Sequence, residues 1–117
     1  MGNEEKSVRL DFSLEITSRA LGSRQIALAA IHQFIEIGES EYLQPLKAGI
    51  DKNNYKIIYH TSHKLYGLTG RLKIPGIMKL AEIVANAAKN KKKIDYIKYY
   101  DDIIELYNEF KLIQKTL

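Results

Sequence analysis

Residues 58–72 read I-Y-H-T-S-H-K-L-Y-G-L-T-G-R-L, and the fold turns on whether this stretch is helical in spite of its two glycines. Each glycine inside a helix costs roughly 1 kcal/mol relative to alanine. Against that cost, Ile58, Thr61, Leu65, Leu68 and Leu72 repeat at a 3-4-3-4 spacing, which at about 100° per residue places them in one stripe. The spacing predicts a helix that buries this stripe. His63 then lies roughly 180° from the stripe's centre and faces water. Gly67, Gly70 and Lys56 fall on the same outward side. The glycines leave bare backbone beside an exposed imidazole, as close docking of a second protein or a bulky anion requires. The alternative is that Gly67 or Gly70 ends the helix as a C-cap. Leu68 and Leu72 continue the stripe and argue against a stop at Gly67, while an end near Gly70 stays open.

Outward from this helix, four further helical segments follow from apolar spacing and punctuation. A short one spans about Asp11 to Ala20, ending near Gly22. The next opens at Ser23 as N-cap and carries Leu28, Ile31, Phe34 and Ile35 on one face towards Gly38. Glu39 to Ile50 continues it after a bend, because Gly38 and Pro45 both disfavour an unbroken helix. The helix containing His63 starts after Asn53 or Asn54, either of which can cap it. Pro75 suits the first turn of the next, which runs through Ile77, Leu80, Val84 and Ala87 to a lysine cluster. The last spans roughly Asp95 to Leu117, with Ile103, Leu106, Phe110, Ile113 and Leu117 at heptad-like intervals. No strand pattern competes. The expected architecture is a single all-α domain over 1–117, an antiparallel four-helix bundle with a short additional N-terminal helix as a lid.

Composition agrees with helices and narrows the chemistry. The chain has 117 residues, two prolines and no tryptophan, one domain's worth of sequence. It has no cysteine, which excludes disulfides and thiolate metal sites and fits a reducing cytoplasm. No apolar run approaches the ~20 residues of a membrane span, and the leading M-G-N-E-E-K-S-V-R-L lacks the apolar centre of a signal peptide. The chain therefore reads as soluble, without membrane contact. Neither G-x-x-x-x-G-K-[ST] nor a kinase-type glycine loop is present, so no ATP site is expected.

Charge is uneven. The net charge is +4 with a pI near 9.2. Between Asp51 and Glu82 there is no carboxylate, while Lys52, Lys56, Lys64, Arg71, Lys73 and Lys79 are cationic. An anion is welcome on such a surface. A neutral imidazole near pH 7 is a competent nucleophile, and phosphoryl transfer mainly needs positioning and charge stabilisation. An exposed His63 on a cationic, carboxylate-free surface suits a phosphoryl carrier.

The stretch H-T-S-H-K-L-Y-G-L-T-G-R-L-K-I-P-G-I-M-K-L resembles the signature of histidine-containing phosphotransfer (HPt) domains. In that signature a histidine is followed by x-L-K-G and, later, by a proline and leucine pattern opening the next helix. His63 stands at the phosphoacceptor position, Leu65 at +2 and Gly67 at +4; Leu72, Pro75, Ile77 and Leu80 fall at the offsets of the following turn and helix. L-D-F-S-L-E-I-T-S-R-A-L-G looks like the family's short N-terminal helix, and R-Q-I-A-L-A-A-I-H-Q-F-I like the helix after it. H-K-L-Y-G is similar to the HPt domains at the C-terminus of tripartite hybrid sensor kinases. Two positions depart from the pattern: the family's lysine at +3 is Tyr66, and its common glycine at +10 is Lys73.

The resemblance implies a phosphorelay intermediate in two-component signal transduction, not a kinase in its own right. His63 would take a phosphoryl group from one receiver-domain aspartate and pass it to another. It also implies no cofactor on this domain, with magnesium on the partner receiver, and a chain that is free-standing or part of a hybrid sensor kinase; the expected location is cytoplasmic, and a bundle of this size can close on itself as a monomer. Tyr59, His60, Lys64, Tyr66, Gly67 and Gly70, with Lys56 beyond them, form the expected docking ring, and Lys64 or the Tyr66 hydroxyl would steady the phosphoryl group. A non-catalytic helical module that binds receivers without transfer is the alternative.

Three other features carry weaker chemistry. His60 and His63 stand three apart, a spacing able to bind zinc with His32 as a third ligand, but no metal is expected because no carboxylate supports the pair. K-N-K-K-K at 89–93 reads as a solvated helix end with favourable cations in preference to a nucleic-acid contact. Tyr96, Tyr99, Tyr100 and Tyr107 read as flanking a bundle seam with wet hydroxyls in preference to a stacking platform.

Overall fold

The computed structural model describes residues 8–117; the leading seven, including most of the stretch read above for a signal peptide, lie outside the described residues. Its elements are α1 (Leu14–Leu21), α2 (Arg24–Gly38), a π-helical turn (Glu39–Leu43), α3 (Gln44–Asp51), α4 (Tyr55–Arg71), α5 (Pro75–Lys89) and α6 (Tyr96–Gln114). The fold is all-α, with no strand among the described residues.

Side chains set most helix starts. Ser13, Ser23, Asn54 and Asp95 accept from Ile16, Ile26, Ile57 and Lys98 backbone N–H groups, satisfying donors a helix leaves orphaned at its first turn. α5 has no such cap but begins at Pro75, and the Gly76 N–H instead donates to the Leu10 carbonyl at 3.2 Å. Three helix ends share one device, in which a residue at positive φ turns the chain and two backbone bonds close over it. Asn53 (φ 52°), Lys73 (φ 59°) and Lys91 (φ 54°) are those residues. The inner bonds run from Asn53, Lys73 and Lys91 N–H to Ile50, Gly70 and Ala88 carbonyls, and the outer ones from Asn54, Ile74 and Lys92 N–H to Gly49, Thr69 and Ala87 carbonyls.

The chain from α2 through the π-helical turn to α3 does not leave helical backbone at Gly38. Gly38 serves packing instead. A Cβ there would stand 2.6 Å from the Tyr107 ring and hydroxyl, so the glycine makes room for an α6 side chain. Pro45, at the start of α3, has no N–H to lose to the ladder, and the wider turn just before it, closed by Gln44 N–H on the Glu39 carbonyl, absorbs the change of register.

Tyr107 corrects a second expectation. Its ring is buried, edge-on to Phe34 at 5.6 Å, and its hydroxyl donates to the Ile35 carbonyl at 2.7 Å. Tyr96 is also buried and donates to the Lys92 carbonyl. Both hydroxyls donate to backbone carbonyls; Tyr99 and Tyr100 are half-buried. Around Tyr107 lies the core of Ile31, Phe34, Leu46, Ile58, Leu65, Ile77, Leu80, Ile103 and Phe110. α4 and α5 form the most extensive pairing, α3 packs on α4, and α6 contacts α2, α3 and α5. α1 packs on α2 and is tied down where the buried Thr17 hydroxyl donates to the Leu72 carbonyl at 2.6 Å.

Candidate functional site

The inward face of α4 explains why its outward face can be spent on something else. Ile58, Leu65 and Leu72 are each about 1% exposed, and burying three such side chains at roughly 1.5–3 kcal/mol each outweighs two glycines at roughly 1 kcal/mol each. The buried Ser62 and Thr69 hydroxyls return to the Ile58 and Leu65 carbonyls at 2.6 and 2.7 Å, so neither is left unpaired. The helix consequently passes through Gly67 and Gly70 and ends beyond them, at Arg71. Neither glycine is a C-cap.

Outside that stripe, Lys56, His60, His63, Lys64 and Gly67 are exposed, while Tyr59, Tyr66 and Gly70 are half-buried. A Cβ at Gly67 would meet nothing within 4 Å, whereas one at Gly70 would stand 3.3 Å from the Met78 sulfur. Gly67 is open backbone; Gly70 belongs to the seam with α5, not to the open face on which its helical angle placed it. The His63 ring sits between two tyrosines of its own helix. Centroids are 5.4 Å to Tyr59, with planes 35° apart, and 6.2 Å to Tyr66, with planes 48° apart. His60 also packs against Tyr59, with centroids 5.4 Å apart.

Tyr59, His63 and Tyr66 form one wall of an open depression of about 200 Å³, and Glu82, Ala85, Asn86 and Lys89 of α5 form the other. At ~30 Å³ per water, that holds several waters or one hydrated tetrahedral oxyanion. The wall from α5 corrects the charge reading: the run from Lys52 to Ala81 is free of carboxylates in sequence, but folding brings Glu82 itself beside His63. The face is cationic and not carboxylate-free. Lys56, His60, Lys64, Gly67 and Gly70 lie outside this lining, so only Tyr59 and Tyr66 of the expected ring share the depression with the histidine.

Sequence reasoning missed Glu82, Ala85 and Asn86, and saw Lys89 only as part of the lysine run. Their 3-1-3 spacing is itself a helical stripe, but it lies beside the stronger apolar stripe of Ile77, Leu80 and Val84 that dominated the reading of α5. Small residues at Ala81, Ala85 and Ala88, all buried, line that side of α5.

Among the described residues no three His, Asp or Glu side chains gather as a metal site, so His32 does not complete a set with His60 and His63. No helix among them is long and apolar enough to cross a membrane. No family model, no curated protein and no solved structure matches the chain. The site itself offers an exposed nucleophilic ring, held between two aromatic rings, at the edge of a hollow with one cation, one carboxylate and one amide.

Proposed function

We propose that this chain is a phosphorelay carrier of the HPt type, an antiparallel four-helix bundle with a short additional N-terminal helix, working as a cytoplasmic monomer on receiver domains. The observation that carries the reading is the exposed His63 ring at the rim of an open hollow, with nothing beside it at Gly67. Lys73 adds support. The family's common glycine at that offset corresponds here to a residue at φ 59°, the left-handed backbone that glycine adopts without steric cost.

The chemistry balances without any group stored on this chain. An unprotonated His63 ring nitrogen attacks the phosphorus of a receiver's aspartyl phosphate. The N–P bond forms as the P–O bond to the aspartate breaks, and the carboxylate leaves with the bonding electron pair. The other ring nitrogen keeps its proton, so the product is a phosphoimidazolium; when the next receiver's aspartate attacks the phosphorus, the O–P bond forms, the N–P bond breaks and neutral imidazole leaves with the electron pair. Tyr59 and Tyr66 hold the ring's orientation, and Gly67 lets the receiver's surface approach.

The test is transfer from a phosphorylated receiver to the wild-type chain and to His63→Gln. Wild type is expected to take up phosphate, and the variant to take up none while keeping its helical circular dichroism and melting temperature. Full-rate uptake by the variant contradicts the reading. Retention on the receiver with no uptake by wild type favours the non-catalytic interaction module, which the tyrosine at +3 in place of lysine makes the specific competitor.

A further inference from the structure

A phosphoryl group on His63 brings about two negative charges into a hollow that already holds Glu82. Something must offset them. α4 offers no cation at the hollow, since the residue three beyond the histidine is Tyr66, and Lys64, one residue on, projects about 100° around the helix and lies outside the lining. The cation that does line the hollow is Lys89, on the facing helix, one turn beyond Ala85 and Asn86.

Resting on the carrier reading above, we infer that Lys89 supplies from α5 the charge that α4 lacks: its ammonium group binds the phosphoryl oxygens on His63, both as the N–P bond forms and in the phosphorylated chain. Lys89 is exposed and on a long, flexible stem. The ion pairs among the described residues, Arg19–Glu15, Lys47–Asp51, Lys98–Asp102 and Lys111–Glu39, all lie elsewhere, so its charge is not committed to one of them. Lys89 also occupies the last turn of α5, where the carbonyl end of the helix dipole favours a cation. That placement accounts for a basic residue there but not for its lining the histidine's hollow. Glu82, two turns earlier on the same face of α5, lines the hollow with His63 and is the acceptor for the phosphoimidazolium N–H. The two charges of α5 thus divide the work: the carboxylate serves the ring and the ammonium serves the phosphoryl group.

The experiment is single-turnover transfer from a phosphorylated receiver at several carrier concentrations, with wild type, Lys89→Gln, Lys89→Arg and, as a lysine of the same run outside the hollow's lining, Lys93→Gln. Lys89→Gln is expected to lower the maximal rate by about tenfold, the loss of one charged donor at a solvent-exposed site, without changing the half-saturating concentration. Lys89→Arg is expected to restore most of the rate, and Lys93→Gln to leave it within about twofold. An unchanged maximal rate in Lys89→Gln overturns the inference, as does a raised half-saturating concentration alone, which would make Lys89 a docking residue. Both results leave the carrier reading standing. Absence of any transfer to wild type removes that reading, and this inference with it.

Discussion

Two glycines of this chain each lie near a tyrosine, and they do opposite things. Gly38 on α2 is buried, and the space where its side chain would stand is filled by the Tyr107 ring of α6. Gly67 on α4 is exposed, next in sequence to Tyr66, and the space where its side chain would stand is empty. The first glycine is a packing device: it lets two helices approach and lets a phenol reach the Ile35 carbonyl. The second costs helix stability and gains no contact within the chain, which is what a surface kept clear for another molecule looks like. The difference teaches that a helical glycine acquires meaning only from what occupies the place of its missing side chain.

Substitution at the two positions breaks or sharpens that contrast. Gly38→Ala forces a methyl against a ring that is 1% exposed and pinned by its hydroxyl, so it is expected to destabilise the fold by about 2 kcal/mol, measured by urea denaturation. An unchanged midpoint would show that Tyr107 has room to move. At Gly67 the sign reverses. Gly67→Ala is expected to stabilise by about 0.5–1 kcal/mol, and Gly67→Leu to remain folded while slowing phosphoryl transfer at least tenfold by raising the half-saturating concentration. Transfer by Gly67→Leu at the wild-type rate would mean that the open backbone serves no docking partner.

A third position separates backbone need from side-chain role. Lys73 turns the chain at φ 59° without being glycine, and the left-handed region costs a residue with a Cβ roughly 1 kcal/mol. Lys73→Gly should therefore gain up to about 1 kcal/mol in the same denaturation experiment and leave transfer unaltered. Lost transfer would assign the lysine a role on the site's face.

The smallest expected effect is in alkaline solution. Burial, reinforced by Glu39, holds the Tyr107 phenol above its ordinary value of 10.0, and burial, reinforced by Tyr55, does the same for Tyr96. A raised folded value means that the unfolded chain gives up these protons first. The contribution to stability is thus complete below about pH 10 and is lost as pH rises through the folded values. The melting temperature should decline above pH 10, and the decline should be shallower in Tyr107→Phe. An equal slope in that variant would place the effect elsewhere.

Much of α4 was legible before its structure because one period governs it. Ile58, Leu65 and Leu72 set the inward face, and the exposure of His63 follows by rotation alone. Capping chemistry likewise marked Ser23 and Pro75 and narrowed the start of α4 to Asn53 or Asn54, of which Asn54 is the cap. What escaped was whatever depends on the setting of one helix against another. Glu82, Asn86 and Lys89 meet His63 only through the pairing of α4 with α5. Gly70 turned out to face Met78, and Gly38 and Tyr107 explain one another only once α2 and α6 are in place. The lysine run hid Lys89 for a related reason, since a helix-end cluster is sufficiently explained by solvent and dipole until one member is found lining a hollow.

The central claim is that the ring of His63, and not a neighbouring hydroxyl, carries the phosphate. Mapping the labelled peptide after incubation with a phosphorylated receiver tests it most directly, because Tyr59 and Tyr66 flank that ring. The account predicts phosphate on His63 that is stable in base and lost in acid. Acid-stable phosphate on either tyrosine, or no phosphate on the α4 peptide at all, would contradict it.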